Sequence, residues 1–412
     1  MAGDIARRAA ERAARESYGR ILAFLAARTR DVAGAEDALS EAFAAALRTW
    51  PVDGVPQNPD AWLLTTARRR QTDAARRRQV QNAGQAQLQV MGDELEAMAE
   101  EQDVVPDRRL VLMFACAHPA IEPSMRSPLI LQTILGLTSE DIAAAFLLPP
   151  GTMAQRLVRA KTRIRDAGIL LRMPGAEELP ERLAAVLEAI YAAYSKGWNE
   201  LGDEAKPELA EEAIWLGRLV VSLLPDEPEA KGMLALMFYT AARASARRDA
   251  SGAYVPLEQQ DATLWDESLI NVAEDLLRQA NAGGPSGRYQ IEAAIQSAHV
   301  ARRLTGRSNW PSVIALYDHL LGFTRSPVVV LNRAVARAEL AGPRAALADL
   351  APLAADKRLL AYQPYWAAKG HLHALAGDRV EAIEALTIAI GLSTDESVKA
   401  YLKARRGSVQ LS

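Results

Sequence analysis

The chain has 412 residues, half of them hydrophobic, a net charge of -3 and one cysteine, Cys116. That length allows two to four domains with sizeable cores, and a single thiol excludes an intramolecular disulfide and fits a reducing cytoplasm. There is no apolar run long enough to span a bilayer, and the charged opening MAGDIARRAAERAARES lacks the apolar core of a signal peptide, so neither a membrane span nor secretion is expected.

The charge is unevenly spread. Residues 1–172 hold 23 Lys and Arg against 21 Asp and Glu, a net +2; residues 173–412 hold 25 against 30, a net -5. Two blocks, residues 61–80 and 148–172, each carry six basic side chains against one acid. A solvated helix face is one reading of such a block. Two of them suggest two contacts with a polyanion.

Taken in order, the elements read almost entirely as helix. Helices are predicted over 4–28 and 33–48, the second ending before Trp50-Pro51. The loop PVDGVPQNPD, with three prolines and a glycine, leads into a helix from Asp60 or Ala61 to Arg78. Residues 79–107 contain no Lys or Arg but seven acids, and read as a linker. Helices follow over 108–117 and 124–135.

The stretch GLTSEDIAAAFLLPPGTMAQRLVRAKTRIR, residues 136–165, has the pattern of two short helices joined by a tight turn. Ser139 is the candidate N-cap of the first, Ala143 and Ala144 permit close crossing, and Pro149-Pro150 pre-sets the second. Met153, Leu157, Ala160 and Ile164 share one apolar stripe of that second helix. Thr152, Gln155, Arg156, Arg159, Lys161 and Arg163 lie off the stripe. Arg can pair bidentately with guanine and Gln with adenine, so this helix can read a major groove. A plain helix pair with a basic face is the competing reading.

Basic character stops near Met173-Pro174-Gly175, where a domain boundary is predicted. Beyond it, amphipathic helices alternate with Gly and Pro punctuation, interrupted by the irregular stretch 249–263. Leu340-Ala341-Gly342 recurs as Leu375-Ala376-Gly377, 35 residues on, a period that suits tetratricopeptide-type helix pairs; a plain helical bundle is the alternative. Tyr194, Trp198, Asn199, Asp318, Asn332 and Arg333 are candidates to line a concave groove for a peptide or ligand, although most aromatic residues in this half should be core. Cys116 and His118 alone do not make a metal site, and no GxxxxGK[ST], GxGxxG, GxSxG or HExxH motif occurs. No metal, cofactor or catalytic residue is therefore expected.

Three segments in order carry a resemblance. They are Ala35-Glu36-Asp37-Ala38-Leu39-Ser40-Glu41-Ala42-Phe43, then Asn58 to Asp73 with Arg76-Arg77-Arg78, then Gly151 to Leu157 of the helix-turn-helix. Together they resemble the bacterial extracytoplasmic-function sigma factors of the sigma-70 family. The resemblance implies an all-α fold: a region-two domain over 1–80, an acidic linker over 81–107, and a region-four helix-turn-helix domain over 108–172. It further implies that Glu36, Asp37, Ser40 and Glu41 dock on the β′ clamp of core RNA polymerase. Arg68, Arg69, Thr72, Arg76 and Arg77 would contact the minus-ten element. Thr152, Gln155, Arg156, Arg159, Lys161 and Arg163 would contact the minus-thirty-five element, with the β flap as a second polymerase contact. Three positions depart from the family pattern: Ser40 stands where Gln is usual, Arg69 where Asn is common, and Leu147 or Leu148 replaces the turn Gly.

Leu223 to Glu229, Tyr289 to Ile295, Leu316-Tyr317-Asp318, Leu331 to Ala336 and Phe114 to Pro119 resemble a subgroup with a long C-terminal tetratricopeptide-like extension, here residues 173–412. The resemblance implies that this extension regulates the sigma factor. Its net -5 suits folding back onto the basic sigma surfaces; a requirement for productive polymerase binding is the alternative. A one-component helix-turn-helix regulator with a ligand- or peptide-sensing repeat domain is the alternative; it would leave the Ala35–Phe43 and Arg68–Arg78 segments unused.

Overall fold

A computed structural model describes residues 2–81, 108–146, 148–199, 207–282 and 286–411. Among them every regular element is helical. The one β feature is an isolated bridge between Arg248 and Tyr254. Residues 79–81, read as the start of the linker, are the end of the helix Pro59–Gln81; the rest of the acidic linker, 82–107, and the turn position Leu147 lie outside the described residues. By contacts the chain divides into two units, Met1–Ala193 and Tyr194–Ser412.

The first unit opens with α1 (Ala2–Thr29), α2 (Val32–Asp53) and α3 (Pro59–Gln81). Asp31 caps α2 by accepting from the Gly34 N–H at 3.0 Å. The apolar residues Val32, Ala35, Ala38, Leu39, Ala42 and Ala46 recur at helical spacing and are buried. α2 does not end before Trp50-Pro51. It runs through Pro51 to Gly54, whose positive φ of 88° closes it with an N–H bond to the Trp50 carbonyl. Buried Trp50 meets the half-buried Trp62 of α3 edge-on at 5.4 Å, which holds the last turn in place. Asp60, in the first turn of α3, accepts from Ser17 at 2.7 Å and pairs with Arg20.

After the linker come α4 (Arg109–Cys116), α5 (Pro123–Leu135), α6 (Ser139–Ala145), α7 (Pro150–Asp166) and the start of α8 (Leu179–Asn199). α5 packs on α1, and α7 packs on α2, α5 and α6. At the α1–α5 crossing there is no room for a side chain: a Cβ on Gly19 would sit 2.0 Å from the Ile134 carbonyl oxygen. On the side of α8, buried Arg126 of α5 donates to Glu181 at 2.8 Å, and Ser127 donates to the Ala185 carbonyl at 3.1 Å. Residues just beyond the predicted boundary at 173–175 thus contact α5, the helix that precedes the α6–α7 pair. The contact division itself falls within α8.

The second unit holds α9 (Pro207–Leu223), α10 (Pro228–Ala241), α11 (Glu267–Asn281), α12 (Arg288–Thr305), α13 (Trp310–Leu320) and α14 (Pro327–Ala341). It continues with α15 (Pro343–Leu350), α16 (Lys357–Leu360), α17 (Gln363–Ala376), α18 (Arg379–Leu392) and α19 (Glu396–Leu411). α10 is buried nearly all round, as a central helix must be. Its Glu229 reaches the start of α12 and accepts from the Tyr289 and Gln290 N–H groups at 3.0 and 3.1 Å. A carboxylate at a helix N-terminus satisfies orphan donors and meets the positive end of the dipole. Two of the sequence segments singled out above therefore meet in space. Stretch 249–263 is not featureless: it holds the 3-10 turns Leu257–Gln259 and Ala262–Leu264, and Tyr254 packs edge-on to Tyr401 at 5.6 Å.

Candidate nucleic-acid and polymerase interface

The two short helices expected over 136–165 form as α6 and α7. The N-cap of α6 is Thr138, not Ser139: the Thr138 hydroxyl accepts from the Asp141 N–H at 3.1 Å, and Ser139 is the first helical residue. Ile142 and Ala143 face inward, whereas Ala144 is exposed and takes no part in the crossing. Pro149 is extended at φ -66°, ψ 135°, and Pro150 opens α7, where a missing N–H costs nothing. Met153, Leu157, Ala160 and Ile164 are all buried, as their spacing predicts.

The other faces of α7 divide into two. Thr152, Gln155, Arg159 and Arg163 are exposed and Arg156 is half-buried. Arg156, Arg159 and Arg163 border a groove of about 520 Å³ whose apolar side is Ile121 and Met125. Glu122 also lines the groove, and Arg163 donates from Nε to the Ala120 carbonyl at 3.4 Å. The three guanidinium groups outnumber that one acid and suit a phosphate backbone or guanine edges. Lys161 faces elsewhere. Its ammonium donates to Glu36 of α2 at 2.5 Å, and both side chains are 13% exposed. Burial raises the Glu36 pKa above the usual carboxylate range even though Lys161 pulls it down.

On α2, Asp37, Ser40 and Glu41 are exposed, Leu39 is buried and Phe43 half-buried. Glu41 pairs with Arg70 of α3 at 3.4 Å. On α3, Arg69 and Arg76 are exposed, and the Arg68 guanidinium lies over the Phe24 ring at 4.8 Å. The Thr72 hydroxyl donates back to the Arg68 carbonyl at 3.1 Å. Arg77 lies in α3; its side chain is outside the described residues. Sequence reasoning missed the pairing of Glu36 with Lys161, since 125 residues separate them and no periodicity links the two helices.

Cys116 is fully buried beside Thr133, 3.6 Å away, and burial pushes its thiol up to about 12, so it is a packing residue. His371 and His373 go to separate partners, Arg405 and Asp378. Of the candidate groove residues, Tyr194 is buried, stacks on Trp198 at 6.1 Å, and donates to the Met237 carbonyl at 3.0 Å. The Arg247 guanidinium covers the Trp198 ring at 4.2 Å. Asp318 pairs with Arg333 at 2.5 Å, and Asn332 is exposed. Asn199 ends α8; its side chain lies outside the described residues. The contacts described for the two sets, Tyr194 with Trp198 and Asp318 with Arg333, do not join them.

The N-terminal unit is an all-helical arrangement with basic side chains on α3 and α7. Residues 13–80 match the family model for sigma-70 region 2, and residues 182–281 match a family of unknown function (DUF6596). The chain is 37% identical over 375 residues to an uncharacterized protein of Rhizobium meliloti (strain 1021), covering 90% of this chain and 88% of that one. No solved structure matches. The chain belongs to the sigma-70 family and carries a helical C-terminal extension. Its role lies in transcription initiation, with RNA polymerase core and promoter DNA as the family's general partners. Among the described residues no helix is long and apolar enough to cross a membrane.

Proposed function

We propose that the chain is an extracytoplasmic-function-type sigma factor with a built-in, tetratricopeptide-like regulatory extension. It binds core RNA polymerase through Asp37, Ser40, Glu41 and, once freed, Glu36. Arg68, Arg69, Thr72, Arg76 and Arg77 contact the minus-ten element. Thr152, Gln155, Arg156, Arg159, Arg163 and, once freed from Glu36, Lys161 contact the minus-thirty-five element. The domains are residues 1–80, the linker 81–107, residues 108–172 and the regulatory domain 173–412. The observation that carries this reading is the sigma-70 region 2 match over residues 13–80, followed in the same chain by a helix-turn-helix with an arginine-lined groove. The contacts from Arg126 and Ser127 to residues 181–188 support regulation by the extension, because they tie its first helix to α5.

The test is run-off transcription with purified bacterial core polymerase on a promoter library. Full-length protein should initiate selectively, and Arg156→Ala/Arg159→Ala should reduce initiation at minus-thirty-five-dependent promoters at least about tenfold, since each lost guanine contact is worth about 1–3 kcal/mol. Tight, polymerase-independent binding to duplex DNA without any initiation would replace this reading with the one-component regulator.

A further inference from the structure

The segment Phe114 to Pro119 runs into a short loop that forms one wall of the arginine-lined groove. Ala120 to Glu122 stand on that side, and Arg156, Arg159 and Arg163 of α7 stand opposite. His118 shapes the loop from within. Its Nδ1 accepts from the Ala120 N–H at 3.0 Å, and its carbonyl accepts from the Ile121 N–H at 2.9 Å. Burial, and after it Arg182, hold the His118 pKa below its ordinary value, so the ring stays neutral and can accept.

Arg126 of α5 fixes the loop from behind. Its Nε donates to the Ile121 carbonyl at 3.1 Å and its Nη2 to the Pro119 carbonyl at 3.4 Å. The Ala120 carbonyl, between those two in sequence, accepts from Arg163 across the groove. The remaining nitrogen of Arg126, Nη1, donates to Glu181 in the first turn of α8 at 2.8 Å. The Arg126 side chain is 7% exposed and that of Glu181 59%. A buried guanidinium depends on its partners far more than an exposed carboxylate does, so the extension supplies the only carboxylate that the described contacts give Arg126. We propose that Arg126 is a positioning residue for promoter recognition: held by Glu181 of the extension, it sets the loop 118–122 against α7 and with it the placement of Arg163 in the groove. This rests on the sigma-factor reading above, and it gives regulation by the extension a route, from Glu181 through Arg126 and the Ala120 carbonyl to Arg163.

The experiment compares full-length wild type, Glu181→Gln, Arg163→Ala and the double variant. Glu181→Gln keeps the shape of an exposed side chain and replaces a charge-assisted bond with a weaker neutral one. Circular dichroism checks that each variant keeps its helicity. Hydrogen exchange read by mass spectrometry should quicken over residues 117–122 in Glu181→Gln and stay unchanged in α1 and α2. Run-off transcription with core polymerase gives the ratio of initiation at a preferred promoter to initiation at the same promoter with its minus-thirty-five element scrambled. Glu181→Gln should lower that ratio about threefold or more, within the range of couplings carried through packed side chains. A purely stabilising residue would lower initiation on both templates and leave the ratio alone. In the Arg163→Ala background Glu181→Gln should change the ratio no further, because residues that act through one another are not additive.

Unchanged exchange over 117–122 in a folded Glu181→Gln protein overturns the link from Glu181 to the loop. Faster exchange with an unchanged ratio overturns the positioning role. A further, equal fall of the ratio in the Arg163→Ala background overturns the route through Arg163. No initiation by wild type, with exchange behaving as expected, overturns the sigma-factor reading and with it the role in promoter recognition, while the link from Glu181 to the loop stands. If Glu181→Gln does not fold, Glu181→Asp, one methylene shorter, is judged by the same outcomes.

Discussion

Gly19 and Gly407 occupy helix interiors, and their surroundings give opposite consequences for the same substitution. Gly→Ala within a helix gains about 0.5–1 kcal/mol in propensity and backbone entropy. At Gly407 a Cβ meets nothing within 4 Å, so Gly407→Ala should stabilise by that amount. At Gly19 the Cβ would strike the Ile134 carbonyl, a backbone atom that cannot swing away. Overpacking of this kind costs about 1–3 kcal/mol and exceeds the helical gain. Gly19→Ala should therefore lower the urea midpoint of the N-terminal unit, while Gly407→Ala raises that of the C-terminal unit. Equal shifts of the same sign would show that the α1–α5 approach does not constrain Gly19. Neither outcome is legible in the sequence, where Gly19 stands in SYGRIL and Gly407 in RRGSVQ with nothing to set them apart.

Helices, by contrast, were largely legible. The α7 stripe of Met153, Leu157, Ala160 and Ile164 follows from spacing alone, because burial on one face is what gives a helix its period. The end of α2 was not legible. Proline usually marks a stop, but the Trp50–Trp62 contact and the Gly54 cap carry the helix past Pro51. Packing between helices was the least legible. The basic block on α7 reads as a single surface in the sequence, yet Arg156, Arg159 and Arg163 line an open groove while Lys161 turns to α2. The repeated Leu-Ala-Gly does have a physical counterpart. Gly342 and Gly377 close α14 and α17 with φ of 85° and 82°, and each is followed at once by the next packed helix, α15 or α18. Gly377 is left-handed at ψ 6°, so Gly377→Ala should cost about 1 kcal/mol and lower the melting temperature of the C-terminal unit. An unchanged midpoint would mean that the turn relaxes without penalty.

At the scale of the whole chain, buried titratable groups give the two units opposite responses to acid. Glu36 has a raised pKa in the N-terminal unit, with burial the main cause. Lys161 of α7 and Asp37 of α2 act on it, and the Tyr18 phenol of α1 and the Cys116 thiol of α4 sense its charge. Its contribution is fully present below the ordinary carboxylate pKa and is lost as pH rises through the raised value, so acid favours the α2–α7 contact that buries it. In the C-terminal unit, His299 is lowered to about 4 by burial and by Arg302 and Arg243. His371 is lowered to about 4 by burial and by Arg405, with Glu258 opposing. For these bases the contribution is present above their ordinary pKa near 6.5 and is lost as pH falls toward 4. The shift at His299 is worth at most roughly 3 kcal/mol. As pH falls from 6.5 toward 4 the C-terminal unit should therefore weaken, whereas protonation of Glu36 favours the α2–α7 contact. Urea titrations at pH 7 and pH 5 on wild type, Glu36→Gln and His299→Gln separate the two. His299→Gln should flatten the acid loss in the C-terminal transition and leave the N-terminal one unchanged, and Glu36→Gln should do the reverse. A single shift shared by both transitions would mean that neither buried group controls its own unit, and that general charge repulsion at low pH dominates instead.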